Sequence, residues 1–223
     1  YTENLKEFMS SVECANDDMK IPEMEAILIP FFDEGGVLMY IQARNLDQTS
    51  SFRYITLKMS PDGVKIWGMD RVNWSRPVFV LEGPFDGMQV DNAVAVAGAS
   101  IASVVKYLRG KAKDRLILVF DKDFQKNPQL YASYRKCIDY GYEVVAYDNE
   151  FVGKDVTETV IEKNWSCDQI SNYLFSRTKS GLDALLYLSS FKKPTEGMTW
   201  HPETKAPAKN RTTFSITSNR FVH

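Results

Sequence analysis

Glu82 and Asp86 close an apolar run in "VFVLEGPFDGMQV", and Asp121 and Asp123 close another in "RLILVFDKD". Carboxylates set directly after buried-type strands can hold a hard cation, because Mg²⁺ takes oxygen ligands and completes its shell with water and substrate phosphates. If the two runs lie side by side and parallel, four carboxylates meet at one edge, where their repulsion is costly unless a cation neutralises it. Two such ions about 4 Å apart would clamp the attacking and leaving oxygens of an in-line phosphoryl transfer. Either motif alone is a weak signal, since acids after strands often serve as turn residues or helix caps. Their conjunction predicts a metal site. A third acidic point follows in "FVGKDVTETV", where Lys154 and Asp155 precede a helical pattern. Asp155 reads equally as that helix's cap and as a further acid of the site. Asp86 likewise also reads as a cap of the first crossover helix.

Strands distant in sequence must be brought together for this to work. From Pro77, "PVFVL", "AVAVA" (93–97), "RLILVF" (115–120) and "YEVVAY" (142–147) read as four strands alternating with helices. Continuous apolar runs suit strands covered on both faces. The clearest helix spans 128–140: Asn127 caps it, Pro128 fits a first position whose N–H needs no partner, and Gly141 takes the left-handed conformation that ends it. Such a βαβ series is a right-handed α/β unit, and ligands gather at the carboxyl ends of its strands. Upstream, "AILIPFF", "VLMYIQARNL" and "FRYITLKM" predict a small antiparallel sheet over 25–59, turned at "DEGG" and ended at "SPDG". Residues 2–12 read as a short helix, as do 155–163, "CDQISNYLFSRT" and "SGLDALLYLSSF". From Lys192 onward Pro, Thr, Asn and Lys dominate, predicting an extended, partly mobile tail.

With 223 residues, 44% apolar and 25% charged, the chain suits one large globular domain or two small ones. A net charge of -2 excludes a chain-wide positive field, so any nucleic-acid affinity must rest on local patches. Cys14, Cys137 and Cys167 stand far apart with only His201 and His223 to help them, which indicates neither a disulfide framework nor a zinc site. A reducing, cytoplasmic setting fits. Cys137 falls inside a helical pattern and reads as packing. No apolar run approaches the roughly 18 residues of a spanning helix, and "YTENLKEFMSS" lacks the regions of a signal peptide. A start at Tyr1 reads as a processed chain or a fragment, with a module expected upstream.

One local patch lies between Ile41 and Arg76, where Arg44, Arg53, Lys58, Lys65, Arg71 and Arg76 face only Asp47, Asp62 and Asp70. Interleaved with Phe52, Tyr54 and Trp67, these cations could follow a single-stranded backbone, since cations neutralise phosphate and rings stack on bases of any sequence. They could equally hold a triphosphate. Phe52 and Trp67 read as core aromatics, and Arg44 and Arg53 as binding residues. Lys122, between two acids, faces either phosphate or solvent. The tail, 192–223, carries six basic residues against Glu196 and Glu203, a net +4 suited to loose attraction to nucleic acid.

The motifs "LEGPFD", "AGAS" after the second strand, "VFDKD" after the third and "GKD" after the fourth resemble the Toprim domain shared by DnaG-type primases, topoisomerases and certain nucleases. The prelude "ILIPFFDEGGVLMYIQARNL", "FRYITLKMSP" and "KIWGMD" is similar to the region ahead of Toprim in DnaG-type primases, so the resemblance runs over about 25–163 and favours a phage primase core. It implies an α/β fold, α+β overall: a Toprim-like, mostly parallel sheet flanked by helices, preceded by a small antiparallel subdomain and followed by a helical segment. The expected division is 1–76 for the N-terminal subdomain with its basic patch, 77–163 for the Toprim domain, 164–191 for the helical segment and 192–223 for the tail.

The resemblance implies Glu82, Asp121 and Asp123 as catalytic acids on Mg²⁺ or Mn²⁺, with Asp86 and Asp155 as supporting ligands, and Arg44, Arg53, Lys58 and Lys154 toward nucleotide and nucleic acid. Two departures stand out. The family often has glycine shortly after the second D-x-D acid, where this chain leaves Asn127 to take any tight conformation, and it commonly has an acid where Thr157 stands. The expected activity is RNA primer synthesis on single-stranded DNA from ribonucleoside triphosphates in the cytoplasm, the host's if the gene is a phage's, without a membrane. A replicative helicase and an upstream zinc-binding module are the expected partners. The alternatives are a Toprim nuclease and a non-catalytic Toprim module that assembles with a replication or virion partner.

Overall fold

The computed structural model describes residues 1–12, 20–61, 63–98, 100–112, 115–191 and 193–194. Apart from residues 193 and 194, the expected tail lies outside the described residues, as do Cys14 and Asp62.

Helix α1 (Leu5–Ser10) starts where the Asn4 side chain accepts from the N–H groups of Lys6 and Glu7. Strands β1 (Ala26–Phe32), β2 (Leu38–Asn45) and β3 (Tyr54–Lys58) form an antiparallel sheet in that order. Asp33 makes the first turn, its carboxylate accepting from the N–H groups of Gly35 (2.9 Å) and Val37 (2.8 Å). One face of the sheet buries Ala26, Ile41, Ala43 and Leu57 against Leu5 and Met9 of α1.

The larger sheet follows. Its elements are β4 (Val78–Leu81), α2 (Pro84–Gly87), β5 (Ala93–Ala95), α3 (Ile101–Arg109), β6 (Leu116–Val119), a 3₁₀ turn (Lys122–Gln125), α4 (Pro128–Asp139), β7 (Glu143–Val145), α5 (Val156–Lys163), α6 (Cys167–Ser176), β8 (Thr178–Lys179) and α7 (Gly181–Ser189). The strand order is β5-β4-β6-β7-β8, with every pairing parallel except β7 with β8. Alternation along each strand splits the core in two. Val78, Val80, Leu116, Leu118 and Val144 pack with α3, α4 and α7, while Phe79, Leu81, Ile117, Val119 and Val145 pack with α5 and α6. Both faces are thus covered, as the continuous apolar runs require.

Trp67 joins the two sheets. Its backbone exchanges hydrogen bonds with Ala95 at 2.9 and 3.0 Å, and its buried ring packs with Ile29 and Phe31 of β1. Gly68 follows at φ +88°, where an added Cβ would lie 2.6 Å from the Ala93 carbonyl. Only glycine allows that close approach.

Some elements depart from the sequence reading. β5 ends at Ala95 because Ala97 and Gly98 turn the chain at φ 49° and 88°. The first crossover helix shrinks to the single turn α2. β8, two residues long, carries no periodic signal and is set by its register against Val144 and Val145. Asn127 is an extended N-cap at φ -106° rather than a tight turn, because its side chain is engaged by the N–H groups of Gln129 and Leu130. Among the described residues no helix is long and apolar enough to cross a membrane.

Candidate carboxylate site at the ends of β4 and β6

Strands β4 and β6 are parallel neighbours with Leu81 opposite Val119, so the residues that follow them leave the sheet together. The Glu82 carboxylate accepts from the Asp121 N–H at 3.3 Å across 39 residues of sequence. Burial pushes the Glu82 carboxyl up to about 7; the Asp121 N–H opposes this shift, and the charges of Asp123 and Asp86 add to it. Asp121 is held well above the usual carboxylate range, first by burial and then by the charges of Glu82, Asp86, Asp155 and Asp123. These acids therefore share one electrostatic site. Asp123 sits in the 3₁₀ turn after β6, which its carbonyl stabilises by accepting from the N–H groups of Lys126 and Asn127.

Asp86 lies within α2, buried, and caps nothing in its own helix. Its carboxylate accepts from the N–H (2.9 Å) and hydroxyl (2.8 Å) of Thr157 in α5. Burial raises its carboxyl and Asp155 adds to the rise, while the Thr157 bonds and the Lys154 charge work against it. Thr157, which stands where the resembled family commonly has an acid, thus serves as a hydrogen-bond donor to an acid of the site. Asp155 is the N-cap of α5, accepting from the Glu158 N–H at 2.8 Å.

The basic candidates divide. The Arg44 guanidinium bonds the Tyr54 hydroxyl and stands 5.2 Å from that ring and 5.1 Å from the ring of Phe85, next to Asp86 in α2. Arg44 thus bridges the small sheet to α2 through the Phe85 ring. Lys154 contacts Asp155 at 3.5 Å and Glu158 at 3.8 Å; burial lowers its pKa, but these acids outweigh it and leave the ammonium raised. Arg53 is exposed in the loop before β3, where its carbonyl accepts from the Asn45 N–H, and Lys58 ends β3 opposite Tyr40. Trp67 is buried, as a core aromatic should be; Phe52, also read as core, is 40% exposed, because it lies in the loop outside the sheet. Cys137 packs in the core, where burial pushes its thiol up to about 12.

Lys122 is half-buried. Its ammonium donates to the Phe151 carbonyl, and its N–H donates to the Lys154 carbonyl at 2.8 Å. Thr157, which holds Asp86, was not singled out for that role in sequence. The "GKD" motif was the available signal for Thr157, two places beyond its acid.

All the donors here are carboxylate oxygens, which suits a hard divalent cation and not zinc. Among the described residues, no three His, Cys, Asp or Glu side chains are arranged as a ready ligand set. A site that gives each ion one or two carboxylates, with water and phosphate for the rest, is compatible with that spacing.

A mostly parallel sheet covered by helices, with acids after its first and third strands in chain order and an antiparallel sheet ahead of it, defines a Toprim-like fold. The fold is that of the DnaG-type primase catalytic core, and the sequence is similar to that of a phage DNA primase. It is 30% identical over 169 residues to the DNA primase of Enterobacteria phage T4, a match covering 75% of this chain and 47% of that protein. The chain thus spans about half the length of the curated relative it matches. The E. coli primase catalytic core superposes with a TM-score of 0.56 at 17% identity, covering 78% of this chain and 59% of the other. A DnaG primase catalytic domain bound to ssDNA gives 0.57 at 17% identity, covering 78% and 60%. No family model matches the chain.

Proposed function

We propose that this chain is the catalytic core of a DNA primase, joining ribonucleoside triphosphates into short RNA primers on a single-stranded DNA template by divalent-metal-dependent nucleotidyl transfer. The observation that carries this reading is the meeting of Glu82 with Asp121 at the ends of adjacent parallel strands, with Asp123 and Asp86 close enough to raise the Glu82 pKa.

A bound Mg²⁺ or Mn²⁺ would neutralise charge on the reacting phosphates and favour the ionised 3'-hydroxyl. Glu82, Asp121 and Asp123 are its ligands in this reading, with Asp86 and Asp155 in support. Burial holds the Glu82 carboxyl raised to about 7, and a bound cation would favour its ionised form. In this reading Arg44, bonded to Tyr54 and packed on Phe85 of α2, binds phosphate, and its guanidinium suits bidentate contact. Lys58, at the end of β3, and Arg53, in the loop before it, extend the track for a single strand in the same reading. Lys154 acts through the acids it contacts.

In support, the phage relative is a DNA primase, and one fold neighbour is described with ssDNA bound. Zinc-module and helicase partners, and a cytoplasmic setting, belong to the same proposal. The test is extension on a single-stranded template with ribonucleotides and Mg²⁺. Primer synthesis by the wild type that vanishes in Asp121→Asn and Asp123→Asn, with their folds intact, supports the reading. Cleavage of DNA without ribonucleotides would favour the nuclease instead.

A further inference from the structure

The middle residue of the D-x-D turn makes contacts that metal binding does not demand. The Lys122 side chain donates to the Phe151 carbonyl, with its ammonium 5.0 Å from the Phe151 ring centroid and 6.0 Å from that of Tyr147. Its backbone N–H bonds the Lys154 carbonyl at 2.8 Å. Lys122 therefore joins the turn after β6 to the loop after β7 at two points, on either side of Gly153.

That loop is held independently at its ends. Asp148 accepts from Tyr173 (3.0 Å) and pairs with Arg177 (2.7 Å), while the Gly153 N–H donates to the Thr159 hydroxyl at 3.0 Å. Phe151 itself is buried and stacked on Tyr147 at 4.1 Å, so its carbonyl is a fixed acceptor. Lys122 supplies the link between this clamped loop and the acids of the D-x-D turn. The loop ends in Asp155, whose charge is among those that raise Asp121.

We propose that Lys122 is a positioning residue: by stapling the Phe151 and Lys154 carbonyls to the D-x-D turn, it sets the spacing of Asp155 from Asp121 and so the affinity of the site for divalent cations. This rests on the metal-binding role given to these acids above. Charge and position act with opposite sign here. Removing a cation from beside an acid cluster should by electrostatics alone tighten the binding of another cation. Losing the side-chain half of the staple, the bond to the Phe151 carbonyl, should loosen it, since residues that orient ligands typically contribute ~10-fold or more in metal affinity.

The experiment is titration of the full chain with Mn²⁺ alone, free ion being read by electron paramagnetic resonance, for wild type, Lys122→Met, Lys122→Gln and Lys122→Arg, with circular dichroism to check folding. We expect Mn²⁺ to bind about 10-fold more weakly to Lys122→Met and Lys122→Gln, with recovery in Lys122→Arg, which keeps a charged donor of similar reach. Should the Met variant not fold, the Gln variant carries the same reading. Unchanged or tighter binding in the folded neutral variants overturns the staple while leaving the metal site standing. Wild-type chain that binds no Mn²⁺ overturns both.

Discussion

The Asp86 carboxylate accepts two hydrogen bonds from one residue, Thr157, through its N–H at 2.9 Å and its hydroxyl at 2.8 Å. The pair fastens α2, which follows β4, to α5, which follows β7, and so closes the acidic edge of the sheet across 71 residues of sequence. A buried carboxylate held this way keeps its direction without needing a cation.

Thr157→Val keeps the shape and removes the hydroxyl. A hydrogen bond to a charged group contributes about 1.5 kcal/mol or more, so we expect the denaturation midpoint at neutral pH to fall by a matching amount. An unchanged midpoint would mean that the hydroxyl does not hold Asp86 in solution.

The raised carboxyl groups set a direction for pH. Glu82, raised to about 7, and Asp121, also raised, bind protons more tightly folded than unfolded. Their stabilisation is complete below the unfolded carboxylate range and is lost as pH rises through the folded value. In a chelator, the melting temperature should therefore fall between about pH 5 and about pH 8. Mg²⁺ should restore it more at the higher pH, where it no longer competes with protons. A profile flat in pH and indifferent to Mg²⁺ would contradict the assigned environment.

Much of this site was legible because it rests on local rules. Acids placed after continuous apolar runs announced the sheet edge, and Asn127, Pro128 and Gly141 framed α4 by capping chemistry alone. What escaped depends on tertiary neighbours. Nothing in "VFDKD" shows that Lys122 points at a carbonyl 29 residues on, and β8 is a strand only because β7 offers it a register. Phe52 has an apolar side chain like Trp67, yet it sits in a loop and stays exposed.

Two glycines should respond differently to alanine. At Gly153 a Cβ would meet the Thr159 N at 2.6 Å and the Glu158 Cβ at 2.7 Å, so the loop carrying Asp155 must move. Gly153→Ala should cost about 1–3 kcal/mol and weaken Mn²⁺ binding. Gly141, at φ +80° with open space around it, should cost about 1 kcal/mol and leave Mn²⁺ binding intact. Equal effects on metal affinity would argue against a role for the loop in the site.

Arg44→Ala should weaken single-stranded DNA binding and flatten its salt dependence by a slope of about 0.7 for each phosphate that the guanidinium neutralises in the wild type. Fluorescence anisotropy across a salt series reads both quantities. The same affinity and slope in the variant would remove Arg44 from the binding surface.

The most direct measurement is anomalous diffraction from crystals soaked in Mn²⁺, which locates the ion without reference to activity. The expected result is a peak within ligand distance of Glu82, Asp121 or Asp123 that disappears in Asp121→Asn. A soaked crystal with no peak at these acids, or with its manganese bound elsewhere, would contradict the metal-binding role given to them.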